Sequence, residues 1–269
     1  MTSAILVAPA PRAPDQLVVT VTPSRAQAFS TCAYRFAHEQ RPFDATNRAL
    51  QMGQWIHEVI HYDNLARMDG REPPADEVVA HRPPPAPLVG GNDEDRALDI
   101  AAGHLRGYRA FLEAQGVETI LDAERYVRTP TRPVAGVERC AIVLAGRFDV
   151  IAARGDGSVA CIDVKTGNVP TRTRLAESPG TFIYHHLTDY TYGARAIDIV
   201  QINPLTKEWA DVRLDERQIE AGKDFCRRMA ATIKERSYTA SPGDYCAYCT
   251  LAPRCPAHQT GRDGWNTAF

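Results

Sequence analysis

The sequence predicts an α/β domain in which a mixed central sheet is flanked by helices. Three observations carry this. Apolar residues fill 44% of 269 positions and charged residues 24%, enough to bury a sizeable core and too apolar for global disorder. Helical periodicity runs to about Gln115, and strand-like segments begin near Glu118. Helix and strand then alternate to about Arg236. Collagen and coiled-coil patterns are absent. No run of eighteen apolar residues exists, so no membrane span is expected. A net charge of −2 excludes a strongly basic nucleic-acid coat but leaves room for a local basic groove.

Taken in order, residues 1–20 are rich in Pro and Ala and read as a loose tail. They lack the charged start, long apolar core and cleavage site of a secretory signal, so a cytoplasmic protein is expected. Thr22-Pro23-Ser24 reads as a helix start with a Ser or Thr N-cap. Phe29, Cys32, Ala33 and Phe36 fall on one face of that helix, which places Cys32 on it. A second helix runs from about Asn47 to Met68 and buries Leu50, Gly53, Trp55, Ile56 and Ile60. Residues 69–93, with Pro83-Pro84-Pro85 and Gly90-Gly91, read as a long surface loop or insertion. A third helix spans Glu94 to Gln115, with Leu98, Ala101, Leu105, Tyr108 and Leu112 on one face.

Strands are expected at Ile120–Val127, Cys140–Leu144, Gly146–Ala152 and Val159–Val164. Arg154-Gly155-Asp156-Gly157 supplies turn chemistry that makes the last two a hairpin. Helix returns from His185 to Arg195, strands follow at Ile197–Asn203 and Trp209–Leu214, and a final helix covers Glu216–Arg236. Tyr245 to Cys255 is an irregular cysteine knuckle, and 261–269 a C-terminal tail. One domain over 21–260 accounts for these elements.

The hairpin carries the most informative residues. Asp149 lies in Gly146-Arg147-Phe148-Asp149, and Asp163 and Lys165 lie in Asp163-Val164-Lys165-Thr166-Gly167. Period-two alternation puts Asp163 and Lys165 on one face, where Asp149 can meet them across the pair. Two carboxylates hold a hard divalent cation through oxygen. Such a cation lowers the pKa of bound water and stabilises charge on phosphate. An ammonium beside it orients the attacking water. The plain alternative is a salt-bridged Asp and Lys at a strand edge, but an acidic and basic set on otherwise apolar strands is costly unless paired or metal-bound.

His57-Glu58-Val59-Ile60-His61 is a literal H-E-x-x-H. On a helix, His57 and His61 could hold zinc with Glu58 as base, a metalloprotease arrangement. It needs a third ligand, and Glu72 and Glu77 lie in or beside the Pro-rich stretch. The competing reading makes His57 alone a further ligand of the Asp149/Asp163 metal, with Gly53 permitting close packing of the helix on the sheet.

Cys246, Cys249 and Cys255 sit within ten residues, and Pro256 follows. In a cytoplasmic chain such a cluster points to metal ligation rather than disulfides. A closed site needs a fourth ligand; Cys32 is the best candidate and Cys226 the alternative. Cys140 and Cys161 read as core residues on strands. Spacing alone leaves zinc and an iron–sulfur cluster both open.

Together these residues resemble the PD-(D/E)xK nuclease superfamily, and within it the RecB-like exonucleases with an iron–sulfur clasp: the AddB nuclease-domain and CRISPR-associated types. The resemblance covers residues 20–256. Thr22-Pro23-Ser24-Arg25 followed by Cys32-Ala33-Tyr34-Arg35-Phe36 resembles the family's opening, with Ala33 where Pro is usual. Gly53-x-x-x-His57 resembles its metal-binding helix, and the Asp149 and Asp163/Lys165 segments its two core motifs. His186-Leu187-Thr188-Asp189-Tyr190 resembles a later Gln-Leu-x-x-Tyr helix, with His186 in place of Gln.

The resemblance implies a restriction-endonuclease-like fold with the knuckle (245–256) clasped to the first helix. It implies Mg²⁺ or Mn²⁺ held by His57, Asp149, Asp163 and the Val164 carbonyl, with Lys165 positioning water. It implies a [4Fe–4S] cluster on Cys32, Cys246, Cys249 and Cys255. It makes Tyr190, or Tyr192 in an alternative register, a DNA or active-site contact. The implied activity is hydrolysis of DNA, most simply from ends, in recombination, repair, phage replication or CRISPR adaptation, with a protein partner in such a complex. Arg172 and Arg174, just past the active strand, would contact phosphate. Phe182 and Tyr184 could stack bases, although core packing suits them better. A non-catalytic DNA-binding adaptor on the same fold is the rival class, and the intact Asp163-x-Lys165 argues against it.

Overall fold

The computed structural model describes residues 15–39, 47–85, 88, 92–194 and 196–260. Most of the expected N-terminal tail (1–14), the C-terminal tail (261–269), Gly90-Gly91 and Arg195 lie outside them.

Two mixed sheets, rather than one, form the centre. The larger has the order β2-β6-β7-β8-β9, built from β2 (Val117–Ala123), β6 (Val150–Arg154), β7 (Val159–Val164), β8 (Ile197–Asn203) and β9 (Glu208–Val212). Only β7 and β8 run parallel in it. The smaller joins β1 (Leu17–Val21), β5 (Cys140–Arg147), β3 (Tyr126–Arg128) and β4 (Arg132–Pro133). Residues 17–20, expected in a loose tail, are thus strand, paired in parallel with β5. Apolar alternation in Leu17–Val21 supplies a buried edge, with Val19 and Val21 in the core.

β7 is buried at every position, as a central strand covered on both faces must be. Val159 and Cys161 face one core, which α7 (Pro179–Tyr192) and α8 (Glu216–Glu235) cover. Ala160, Ile162 and Val164 face the other, covered by α3 (Arg48–Met68) and α5 (Asn92–Ala114). Helices therefore flank the sheets on both sides, as expected.

The N-terminal helix is interrupted. Thr22 caps α1 (Pro23–Thr31), its Oγ1 accepting from the Arg25 N–H at 3.2 Å. Cys32 is not on the helix. It is extended (φ −162°) and caps α2 (Ala33–His38) through its sulfur, 3.5 Å from the Arg35 nitrogen. Helical periodicity ran through this joint because Phe29 and Phe36 still meet, ring centroids 5.6 Å apart.

The expected loop at 69–93 contains α4 (Ala75–Ala80), whose Val78 and Val79 are buried with Leu88 in the α3/α5 core. Pro-rich composition concealed this short helix. A second short helix, α6 (Arg172–Glu177), precedes α7. The C-terminal knuckle consists of two 3₁₀ turns, Asp244–Tyr248 and Ala252–Arg254, before α9 (Pro256–Thr260). Among the described residues, no helix is long and apolar enough to cross a membrane.

Candidate metal centre and active site

Two breaks in the strands build the site. The expected strand Gly146–Ala152 is split: Gly146 and Arg147 end β5, Phe148 and Asp149 form a bend, and β6 starts at Val150. Asp149 therefore stands at a corner and not within the hairpin strand. The expected strand Ile120–Val127 also breaks, between β2 and β3. Glu124 sits in that break with φ +53°, a left-handed conformation that is uncommon outside glycine. The two corners bond to one another: the Glu124 N–H donates to the Asp149 carbonyl and the Phe148 N–H to the Arg125 carbonyl, both at 3.0 Å. Asp122 braces the corner, accepting from Arg125 at 2.6 Å and from the Tyr192 hydroxyl.

α3 delivers His57 to this point. Gly53, one turn earlier, lies so close to the chain after β7 that a β-carbon there would fall 3.1 Å from Thr166 Oγ1. His57 Nδ1 is 3.6 Å from Glu124 Oε1 and 3.6 Å from Asp149 Oδ2. Ligand atoms of these three side chains all lie within 4.8 Å of one another, the one such group among the described residues. Asp149 Oδ2 also accepts the Val164 N–H at 2.8 Å, which locks the corner onto β7.

Asp163 and Lys165 stand beside this group, on one face as the alternation requires. Lys165 Nζ is 2.6 Å from Asp163 Oδ2, and Gln201 Nε2 donates to the same oxygen at 2.7 Å. Gln201 is the strand partner of Asp163 across β7 and β8.

The electrostatics are those of a site short of positive charge. Burial, then repulsion from Asp163, pushes the Asp149 carboxyl up to about 7, against the pull of His57 and the Val164 N–H. Burial works against a charged His57, but Glu124, Asp149 and Asp163 outweigh it and raise its pKa. Tyr184 is raised by burial first and then by Asp163 and Asp149, which places it within their field. Carboxylate oxygens and one imidazole suit a hard divalent cation.

The structure thus brings His57, Asp149, Asp163, Val164 and Lys165 together. Val164 touches Asp149 through its N–H, where a carbonyl role was expected. Tyr190 is 48% exposed on α7, while Tyr192, the alternative register, is the tyrosine bonded into the corner. Phe182 is core, and Tyr184 packs against the same core. Arg172 and Arg174 are exposed on α6. The H-E-x-x-H does not assemble: Glu58 is exposed, Glu72 pairs with Arg67, and His57 turns to the carboxylates.

Sequence reasoning missed Glu124 and Gln201. The signal for Glu124 was a cluster of charges, Asp122, Glu124 and Arg125, interrupting the expected strand Ile120–Val127. For Gln201 it was one amide within Ile-Val-Gln-Ile, opposite Asp163.

The C-terminal knuckle packs against the α1–α2 joint. Tyr34 N–H donates to the Thr239 carbonyl at 3.0 Å, and Tyr245 hydroxyl to the Thr31 carbonyl at 2.7 Å. Tyr34 hydroxyl reaches the Arg254 carbonyl, next to Cys255, at 3.3 Å. Burial, then Cys32 and Cys246, pushes the Tyr245 hydroxyl up to about 12; among the described residues no three of the thiols come within 4.8 Å of one another. Cys32 is buried, and Cys246, Cys249 and Cys255 are partly buried. Cys140, Cys161 and Cys226 are buried core thiols.

An α/β scaffold whose bent strands and helix bring a histidine and two carboxylates together beside a lysine offers ligands suited to a hard divalent cation. The PD-(D/E)XK nuclease superfamily model matches residues 20–256, and the chain belongs to that superfamily. No curated protein matches it. Among solved structures, SSO0001 is 17% identical, covering 84% of this chain and 92% of its own, with a TM-score of 0.33. The alkaline exonuclease LHK-Exo from Laribacter hongkongensis is 12% identical, covering 81% and 91%, with a TM-score of 0.26. LHK-Exo in complex with dAMP is 11% identical, covering 68% and 93%, with a TM-score of 0.27.

Proposed function

We propose that this chain is a divalent-metal-dependent deoxyribonuclease that hydrolyses DNA from ends, a RecB-like exonuclease within its superfamily. The observation that carries the reading is the convergence of His57, Glu124 and Asp149 beside the Asp163–Lys165 pair. His57, Asp149 and Asp163 would hold Mg²⁺ or Mn²⁺ with the Val164 carbonyl, and Glu124 would join them. Lys165 Nζ and Gln201 Nε2 both meet Asp163 at Oδ2. When bound, the cation would supply a Lewis acid for the phosphate oxygens and lower the pKa of a nearby water. Lys165, whose ammonium lies 2.6 Å from Asp163 Oδ2, would orient an attacking water and offset charge on the phosphate oxygens. Tyr190, Arg172 and Arg174 contact the DNA outside the metal site.

Cys32, Cys246, Cys249 and Cys255 would hold a [4Fe–4S] cluster that clasps the C-terminal knuckle to the α1–α2 joint. Supporting this, the Arg35 and Ser241 N–H groups each approach Cys32 Sγ at 3.5 Å, and the Gly243 N–H approaches Cys246 Sγ at 3.4 Å. Backbone donors aimed at sulfur stabilise thiolate ligands and tune a cluster. The pathway is recombination, repair, phage replication or CRISPR adaptation, with a protein partner.

Linear and covalently closed circular DNA of one sequence, each incubated with Mg²⁺, Mn²⁺ or EDTA, test the reading. Metal-dependent loss of the linear form alone supports an exonuclease. Loss of both would make it an endonuclease, and loss of neither would refute the enzyme reading.

A further inference from the structure

The metal ligands lie at the end of a short, exposed strand face with its own chemistry. β3 is three residues long and alternates: Tyr126 and Arg128 face outward, Val127 inward. Tyr126 is directly paired with Arg147 at the end of β5, and directly opposed residues of an antiparallel pair point to the same side. Arg147 is exposed, and its guanidinium lies 3.6 Å from Glu124 Oε2. The face that carries Tyr126, Arg128 and Arg147 is therefore continuous with the candidate metal centre. Tyr126 itself is 59% exposed. Tyr190, Trp209 and Tyr248 are also exposed. Tyr126 differs from them in being strand-paired with a residue that reaches Glu124. Its backbone belongs to a ladder, so the ring is carried on a rigid element.

An exposed ring on a strand face that also carries two arginines fits one kind of ligand: a flat base on a phosphate backbone. Bases stack on aromatic faces whatever their sequence, and arginines neutralise the phosphates on either side. A paired base in the middle of a duplex has no free face to offer. We propose that Tyr126, flanked by Arg147 and Arg128, stacks an unpaired base of single-stranded DNA and so feeds a single strand to the metal centre. This rests on the nuclease reading above and names its substrate more narrowly.

The test is binding of a labelled single-stranded oligonucleotide and a blunt duplex to full-length Lys165→Ala protein, with Tyr126→Ala, Tyr126→Phe, Tyr126→Leu and Arg147→Gln added in turn. Tyr126→Ala and Tyr126→Leu should weaken single-strand binding by about 5- to 150-fold, the span of one stacked base. Tyr126→Phe, which keeps the ring, should bind within about twofold of the parent. Arg147→Gln should reduce the slope of log affinity against log salt by about one. Duplex binding should change little in the Tyr126 variants. Single-strand affinity that survives Tyr126→Leu, or an equal loss on the duplex, overturns the proposal. Cleavage by the otherwise wild-type enzyme, run in parallel, separates the two ideas. Cleavage with Tyr126 immaterial sinks this inference alone; stacking without cleavage sinks the nuclease reading alone.

Discussion

The backbone N–H of Glu124 donates to the carbonyl of Asp149 at 3.0 Å, and both side chains then face the same nitrogen of His57. Two strand corners thus hold each other, and each contributes one carboxylate to the candidate centre. Glu124→Gln keeps the shape and removes the charge. It should lower metal affinity on the order of 10- to 100-fold, or further if Glu124 binds the cation directly. A Mn²⁺ titration by calorimetry reads this, and unchanged affinity would exclude Glu124 from the site.

The clustered acids make the metal-free protein pH-sensitive. Asp149 titrates at about 7 in the fold, against about 3.9 in an unfolded chain. Between those values the folded state holds more protons, so stability falls as pH rises. His57 acts in the same direction: its raised pKa contributes stability below about 6.5 that is lost as pH climbs through the folded value. Urea unfolding in EDTA should show a less stable protein at pH 8 than at pH 5. Asp149→Asn should flatten that dependence and be the more stable protein at pH 8. Added Mn²⁺ should restore the wild type and not the variant.

Asp63 is fully buried between α3 and α5, six residues beyond His57, and accepts from Arg67 at 3.0 Å and from Arg109 at 3.1 Å. Asp63→Ala removes the buried carboxylate that two half-buried arginines share, while Arg67 keeps Glu72 and Arg109 keeps the Pro73 carbonyl. The expected cost is about 1–3 kcal/mol in a urea titration. A loss below about 1 kcal/mol would mean that water reaches the pair.

Gly53 sets how closely α3 approaches the active strand. Gly53→Val places branched carbons where Thr166 Oγ1 already stands 3.1 Å from a β-carbon. Its cost is about 1–3 kcal/mol, with displacement of the segment that follows Lys165. Cleavage should fall further than the change in thermal midpoint alone explains, because Lys165 moves relative to His57.

Substituting Cys249 by Ser tests the clasp. Anaerobically purified wild-type protein should carry iron, sulfide and broad visible absorbance, and the variant should lose all three together with much of its stability. Zinc in place of iron would reassign the four thiols.

Much of this was legible in the chain. β7 is read to the residue because six consecutive buried positions leave a central strand little freedom. α8 is read nearly as well, since Asp215 and Gln218 form a capping box at its start. His57, Asp149, Asp163 and Lys165 carry rare chemistry in apolar surroundings, which makes them stand out. What escaped was set by contacts between distant segments. Alternation runs on through the bends at Phe148-Asp149 and Glu124-Arg125, and only their mutual hydrogen bonds turn the strands. Glu124 therefore read as one more strand residue. Cys32 read as helical because Phe29 and Phe36 keep their contact across the joint. α4 is stabilised by Val78 and Val79 packing in the α3/α5 core, which local composition does not reveal.

The central claim is that Lys165 and the His57/Glu124/Asp149 group form a nuclease centre. End-labelled linear single- and double-stranded DNA, incubated with anaerobically purified protein and Mg²⁺ or Mn²⁺, tests it most directly against the Lys165→Ala variant. Metal-dependent loss of label is expected from the wild type, none in EDTA, and a fall of at least about 100-fold in the variant, whose fold and metal affinity persist. Equal cleavage by both proteins, or none by a folded, metal-loaded wild type, would contradict it.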